Sequence, residues 1–463
     1  MQKERRPQRQ LNQNWNVVSN SSATTSGPGC AFECIYCNQE GLDNDPSGKK
    51  NTPYITTTVD GGISLNDKVY VGPKLIMEIG QSDLVAELAK FPYYDRNQTL
   101  IVRNFSEPAL GWSQSLDLAQ GLLDKLDHQG PIMFITKGKI DQTNVARARN
   151  MVESGGKLLF VVTNAGNPKQ VEKAPRQGRI ETAKLLSGEN VPVILSMRPM
   201  IVGVNTDPET IETNLVEMSP YITAATVGGL FVYDFTIGRF RNIGIELSDF
   251  YKNRSPFLEN KLLPDYVPSL VRRIAKDIGV AAPIYDHTTC ATAFVVQKRY
   301  GIETHDRLAH WSGQTPQFSE CNTYCPMVQR RLCVESSQQD YLKAIARGND
   351  ELERLGYDYK LTAVPNRKGT LLIKDGDLHL SELFFIMEKT GLNVENLPTL
   401  DRINMALGQL TKDIDWARSV RVEQTNNGYR LAPEQKLTPE DKDLLLGGLW
   451  KKTRSRAFEV IDP

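Results

Sequence analysis

The chain has 463 residues, with 55 lysines and arginines against 55 aspartates and glutamates, so its formal charge is zero. That balance excludes a protein whose affinity for nucleic acid comes from overall positive charge, and leaves only local basic patches for such a partner. With 40% hydrophobic and 24% charged residues the composition is ordinary globular, and the length suits two or three domains. No apolar run nears the roughly 18 residues of a membrane span. The start, MQKERRPQRQ, lacks the apolar stretch of a secretory signal, so a cytoplasmic protein is expected.

In chain order, a short strand is expected at 15–19, ahead of a first group of cysteines. Residues 41–75 are polar and Gly-rich, with a hairpin in YITTTVDGGISLNDKVYVG, and a helix follows near 80–90. From 99 to 233, β-rich runs at 99–105, 131–136, 157–163, 191–198 and 223–233 alternate with helical stretches near 113–127, 143–153, 178–186 and 208–217. Leu116, Leu118, Leu122, Leu123 and Leu126 give the first of these helices a buried stripe. Strands that are nearly all apolar and alternate with helices imply a parallel sheet covered by those helices.

Counting the strand at 15–19, the pattern predicts an α/β fold, a partial (β/α)6 TIM-like barrel with its reactive groups at the C-terminal ends of the strands. A doubly wound open sheet is the alternative. Beyond 240, KNRSPFLENKLLPDYVP reads as a linker to a helix at 267–278 and a second cysteine group. A small α+β or winged-helix-like region closes the chain, with a helix at 338–355, a hairpin at 359–374 and helices near 380–390 and 400–412. The expected division is a basic extension (1–13), the barrel (14–240), a linker and cysteine-rich region (241–340) and the C-terminal α+β region (341–463). No internal repeat is visible outside the βα alternation.

The seven cysteines are an odd number and fall in two groups. With no secretory signal, this points to thiolates that bind metal or react, rather than to a disulfide framework. Cys30, Cys34 and Cys37 form a C-x3-C-x2-C loop, CAFECIYC. Three thiolates on one loop can hold three irons of a [4Fe–4S] cluster and leave the fourth iron open to a small molecule. Structural zinc needs a fourth nearby protein ligand, and the nearest histidine in sequence is His128. Tyr36 and Phe32 are placed to shield such a cluster from water.

This spacing, on the loop after the first strand of a βα series, resembles the radical S-adenosylmethionine (SAM) superfamily. The likeness covers about residues 14–235. It is nearest the spore photoproduct lyase-like and DNA repair photolyase-like branch, on PGCAFECIYC, FSEP (105–108), ITKGKI (135–140), APRQGRIETAKLL (174–186) and MRPMIVGVNTD (197–207). The chain departs from that branch at Ser106-Glu107-Pro108-Ala109 and has no cysteine between 38 and 289 to match the lyase's hydrogen donor.

The resemblance implies that the open iron chelates SAM and that its reductive cleavage releases a 5′-deoxyadenosyl radical, with electrons from a donor such as flavodoxin or ferredoxin. It places Ser106 and Glu107 at the SAM amino group and Lys137 at its carboxylate. Thr163 and Asn164 fall at the ribose or carboxylate, and Arg198 at SAM or an anionic substrate. Gly228-Gly229 allows close approach of adenine, or forms a bulge.

Cys290, Cys321, Cys325 and Cys333 are spaced C-x30-C-x3-C-x7-C. They suit a second, auxiliary [4Fe–4S] cluster, with zinc as the alternative. In another arrangement three of them hold the cluster while Cys290 donates a hydrogen atom or leaves an iron open to substrate. The leading expectation is an enzyme acting on a small molecule, natural-product intermediate or peptide. Repair or modification of DNA or RNA is the second, resting on basic clusters at Lys3, Arg5, Arg6 and Arg9 and at Lys451, Lys452, Arg454 and Arg456. A non-catalytic Fe–S or zinc protein is the third.

Overall fold

A computed structural model of the chain describes residues 107–232, 234–252, 261–302, 341–363, 370–374, 392–411, 414–425 and 428–438, with short stretches elsewhere between 16 and 461. At its centre is a six-stranded sheet: β1 (Leu100–Val102), β2 (Ile132–Thr136), β3 (Leu158–Thr163), β4 (Val193–Met197), β5 (Ala224–Val227) and β6 (Ile284–Tyr285). Every pairing is parallel, and the spatial order is the chain order. Helices α1 (Trp112–Leu126), α2 (Gln142–Glu153), α3 (Arg176–Gly188) and α4 (Pro208–Met218) link β1 to β5 in turn. A longer excursion through α5 (Asp234–Asn242) and α6 (Tyr266–Asp277) leads to β6, and α7 (Thr288–Tyr300) follows.

A doubly wound sheet reverses its strand order at a switch point. This sheet never does, and right-handed crossovers put α1 to α4 and α6 on one face, as in a partial barrel.

Side chains alternate between the two faces of a strand, and two separate cores result. Leu100, Ile132, Phe134, Phe160 and Leu195 pack against the connecting helices. There Phe134 and Phe160 stack at 4.9 Å with Trp112 of α1 beside them. The other face presents Met133, Leu159, Val161 and Ile194 to Ala291, Val295 and Val296 of α7. The Tyr300 hydroxyl at the end of α7 donates to the Leu158 carbonyl at the start of β3. The first turn of α7 therefore lies toward the carboxyl ends of the strands.

The expected strand at 15–19 does not head this sheet. Asn16–Val17 pairs antiparallel with Ala23–Thr24, and the sixth place is taken by β6 beside β5. Two residues, Ile284 and Tyr285, are too few to show a period in sequence. The hairpin expected in 54–72 is present as Ile55–Thr57 against Ile63–Leu65.

Asp141 and Asp207 cap α2 and α4 by accepting the backbone N–H groups of Asn144 and Thr210, each at 2.8 Å. The Thr210 bond holds the Asp207 carboxyl below its ordinary 3.8. Its stabilisation is therefore complete above that value and fades as the pH falls below it. Asp207→Ala should cost about 1 kcal/mol at neutral pH. The difference from wild type should shrink in acid, as read by urea unfolding at two pH values.

The C-terminal region contains a repeat that the sequence does not display. Helix α8 (Tyr341–Arg354) precedes an antiparallel hairpin, β7 (Leu361–Ala363) with β8 (Thr370–Lys374); helical residues between 382 and 390 then lead to β9 (Asn393–Leu397), parallel to β8. The same order returns with α9 (Leu400–Leu410) and the hairpin of β10 (Arg421–Thr425) with β11 (Gly428–Ala432). Helical residues between 441 and 453 follow, then β12 (Phe458–Val460), parallel to β11. Successive side chains of β8 serve different cores. Leu371 and Ile373 join the first unit's core, while Leu372 joins the second's with Leu397, Ile403 and Leu431. Among the described residues no helix is long and apolar enough to cross a membrane.

Candidate functional site

Sheet register sets the site's floor. Thr136 pairs with Val162, Thr163 with Ser196, and Ser196 with Thr226. Lys137, Thr163, Ser196 and Thr226 therefore stand in one row at the carboxyl end of the sheet, with Arg198 and Gly228 one step further out. Neighbouring strands lie roughly 4.8 Å apart, so the ends of β2 and β4 are separated by about 10 Å.

Cys34 and Tyr36 are buried against this end of the sheet, 5% and 8% exposed. The Lys137 ammonium reaches both: Nζ lies 3.4 Å from Cys34 Sγ and donates to the Tyr36 hydroxyl at 2.8 Å. It also sits 4.5 Å from the centre of the Tyr36 ring. The loop is fastened from below. Ile35 N–H donates to the Val171 carbonyl at 3.1 Å, and the Tyr36 hydroxyl donates to the Glu172 carboxylate.

Glu172 is fully buried and paired with Arg179 of α3, whose side chain is 2% exposed. Arg179 also donates to the Thr163 carbonyl at 3.1 Å and the Ala174 carbonyl at 2.8 Å. Burial first, then the Glu172 carboxylate and Cys34, keep the Tyr36 phenol protonated well above its usual range.

Glu107 clamps the end of β2. Oε1 accepts from Ala109 N–H (3.0 Å) and the Thr136 hydroxyl, and Oε2 accepts from Lys137 N–H (3.0 Å). Burial raises its carboxyl above the ordinary range, against those hydrogen bonds. A carboxylate offers about four lone-pair sites. The described donors take three, leaving one on Oε2.

Asn164 is fully buried. Its carbonyl accepts from Asn214 of α4 at 2.7 Å, while both polar atoms of its amide have no partner among the described residues. The Thr226 hydroxyl, also fully buried, is likewise unsatisfied among them.

Two strands away, Arg198 Nη2 donates to the Asp286 carbonyl at 3.1 Å, beside the first turn of α7 where Cys290 lies. Burial pulls the Arg198 guanidinium down to about 10, opposed by Asp286 and Cys290. The Asp286 carboxylate itself pairs with Arg272 at 2.5 Å. The room left by the two glycines is already used. A Cβ on Gly228 would meet the Arg198 side chain, and one on Gly229 the Leu262 carbonyl.

Lys137, Thr163, Arg198, Cys34 and Cys290 thus lie at one end of one sheet. Cys30, Cys37, Ser106, Cys321, Cys325 and Cys333 lie outside the described residues. Cys34 and Cys290 form no disulfide among the described residues, and no group of three or more His, Cys, Asp or Glu side chains is placed to hold a metal ion among them. The donor chemistry nonetheless fits an iron–sulfur cluster at the first loop. Three thiol side chains fall within eight residues, and the middle one is buried beneath an ammonium, the charge complement of a thiolate ligand.

Sequence reasoning missed Glu172, Arg179, Ser196 and Thr226. Arg179 had a signal: it shares the buried face of α3 with Thr182, Ala183 and Leu186, and a cation on such a face requires a buried partner.

No protein-family model matches the chain, and no curated protein matches its sequence. Its fold is similar to that of Streptococcus suis SuiB bound to S-adenosylmethionine, with 10% identity and a TM-score of 0.34 over 60% of this chain and 48% of that one. It is also similar to native anSMEcpe with bound AdoMet and Cp18Cys peptide, with 13% identity and a TM-score of 0.31 over 64% of this chain and 70% of that one. The chain therefore spans about half the length of SuiB.

Proposed function

We propose that the chain is a radical SAM enzyme acting on a small molecule, natural-product intermediate or peptide. The observation that carries this reading is the buried Cys34 sulfur, central in C-x3-C-x2-C, set 3.4 Å from Lys137 Nζ at the carboxyl end of a sequentially ordered parallel sheet. Cys30, Cys34 and Cys37 would hold a [4Fe–4S] cluster. When bound, that cluster and SAM supply a one-electron cleavage that yields a 5′-deoxyadenosyl radical.

The chain's own residues bind, orient and seal. The remaining acceptor site on Glu107 suits the SAM amino group, together with Ser106, its neighbour in sequence. Lys137 suits the SAM carboxylate, Thr163 and Asn164 its ribose or carboxylate, and Arg198 an anionic group on SAM or substrate. Tyr36, buried over the cysteine loop, excludes water. A flavodoxin- or ferredoxin-like protein is the proposed electron source.

We further assign Cys290, Cys321, Cys325 and Cys333 to an auxiliary cluster, or Cys290 to hydrogen donation with the other three as ligands. The position of Cys290 at the sheet end that also carries Cys34 supports a second centre facing the first. The ITKGKI and APRQGRIETAKLL motifs favour the photoproduct lyase-like branch, from which the chain departs at Ser106-Glu107-Pro108-Ala109. The zero net charge favours a substrate other than nucleic acid.

Lys137→Ala tests the assignment of the SAM carboxylate. A charge-assisted hydrogen bond is worth about 1.5–3 kcal/mol, so SAM affinity measured anaerobically by calorimetry should fall roughly tenfold to hundredfold with iron content unchanged. Unaltered affinity contradicts this role.

A further inference from the structure

We infer that Lys137 and Glu172 together set the reduction potential of the cluster held by the Cys30/Cys34/Cys37 loop; this rests on the reading above. Three features of the structure lead to it. The Lys137 ammonium makes an N–H···S contact with Cys34 at 3.4 Å. Its direction is fixed, because it also donates to the Tyr36 hydroxyl, which in turn donates to Glu172. Glu172 Oε2 lies 4.0 Å from Lys137 Nζ, and the carboxylate is fully buried while the lysine side chain is 20% exposed.

Fixed charges in such surroundings act strongly, because little water screens them. Lys137 and Arg179 stand against Glu172 here, and the Glu107 carboxylate also acts on Lys137. Reduction adds one electron, and so one negative charge, to the thiolate-held cluster. Hydrogen bonds to sulfur and positive charge near the cluster stabilise the reduced form and raise the potential. Lys137 pulls the potential up, and Glu172 tempers that pull while holding Tyr36 and Arg179 in place. Both are positioning and tuning residues: they act on the cluster through Cys34 and its loop.

The test is a dithionite titration of the reconstituted protein without SAM, followed by electron paramagnetic resonance of the reduced cluster, with iron counted in parallel. Lys137→Met removes a charge and the N–H···S bond. At the solution potential where the wild type is half reduced, its reduced-to-oxidised ratio should fall about tenfold, or 59 mV for one electron. Glu172→Gln removes the opposing anion and should shift the ratio the other way. Lys137→Arg keeps the charge and should restore most of the wild-type ratio.

A residue that only supports the loop, or only contacts SAM, would give no such opposed shifts in the absence of SAM. Equal ratios in wild type and Lys137→Met, with iron retained, overturn the inference and leave the proposed function standing. Should Glu172→Gln not fold, Lys137→Met and Lys137→Arg still decide the question. A wild-type chain that assembles no cluster overturns the proposed function and this inference together.

Discussion

Arg179→Met should destabilise the sheet domain by about 3–5 kcal/mol, because it leaves one partner of a buried ion pair without the other. Glu172 has no exposed side-chain area, and its described partners would be reduced to Tyr36, Asn167 and the more distant Lys137. The Thr163 and Ala174 carbonyls would lose a donor as well. Methionine matches the arginine stem in shape, so the loss measures charge and hydrogen bonding rather than a cavity.

Against a typical stability of roughly 5–15 kcal/mol, this is a large fraction. Hydrogen exchange of the β3 amides, buried throughout the strand, reports it without interference from the C-terminal units. Adding Glu172→Gln to Arg179→Met removes the stranded charge and should recover most of the loss. A single-variant effect below about 1 kcal/mol, the scale of an exposed pair, would contradict a buried one.

The second large effect concerns the cysteine loop. Alanine at Cys30, Cys34 and Cys37 together should remove one cluster's worth of iron and reduce 5′-deoxyadenosine formation to background. On the proposed auxiliary site, iron held by Cys290, Cys321, Cys325 and Cys333 should remain. The fold should survive, since the described core contacts of this loop are confined to Cys34, Ile35 and Tyr36, packed in a small cluster with Val171, Ile201 and Phe240. A triple variant that still forms 5′-deoxyadenosine removes the loop from the chemistry. One that loses all iron, where the wild type holds only one cluster's worth, removes the auxiliary cluster.

Much of the sheet was legible because β2, β3 and β4 are nearly all apolar, broken only by Thr136, Thr163 and Ser196 toward their carboxyl ends, a pattern typical of strands buried on both faces. The edges were not. β6 is two residues long and is recruited by its neighbour β5, while Asn16–Val17 finds a local antiparallel partner.

The placement of Lys137, Thr163 and Arg198 at one end of the sheet follows from the strand pattern, since each stands at or just past a strand's last residue. The Glu172–Arg179–Tyr36 chain could not be read this way. Tyr36 and Glu172 are 136 positions apart, and nothing local fixes which buried acid meets which phenol. The repeated C-terminal unit was hidden for a different reason. Its two copies share an order of helices and strands, and that order depends on where apolar residues fall rather than on which residues they are.

The most direct measurement is anaerobic reconstitution of the wild-type chain, with iron and sulfide counted and 5′-deoxyadenosine quantified after reduction in the presence of SAM. The proposed function requires a [4Fe–4S] cluster on the first cysteine loop and 5′-deoxyadenosine formed in a reductant-dependent reaction. Zinc in place of iron at that loop, or an intact cluster that never cleaves SAM, would contradict it.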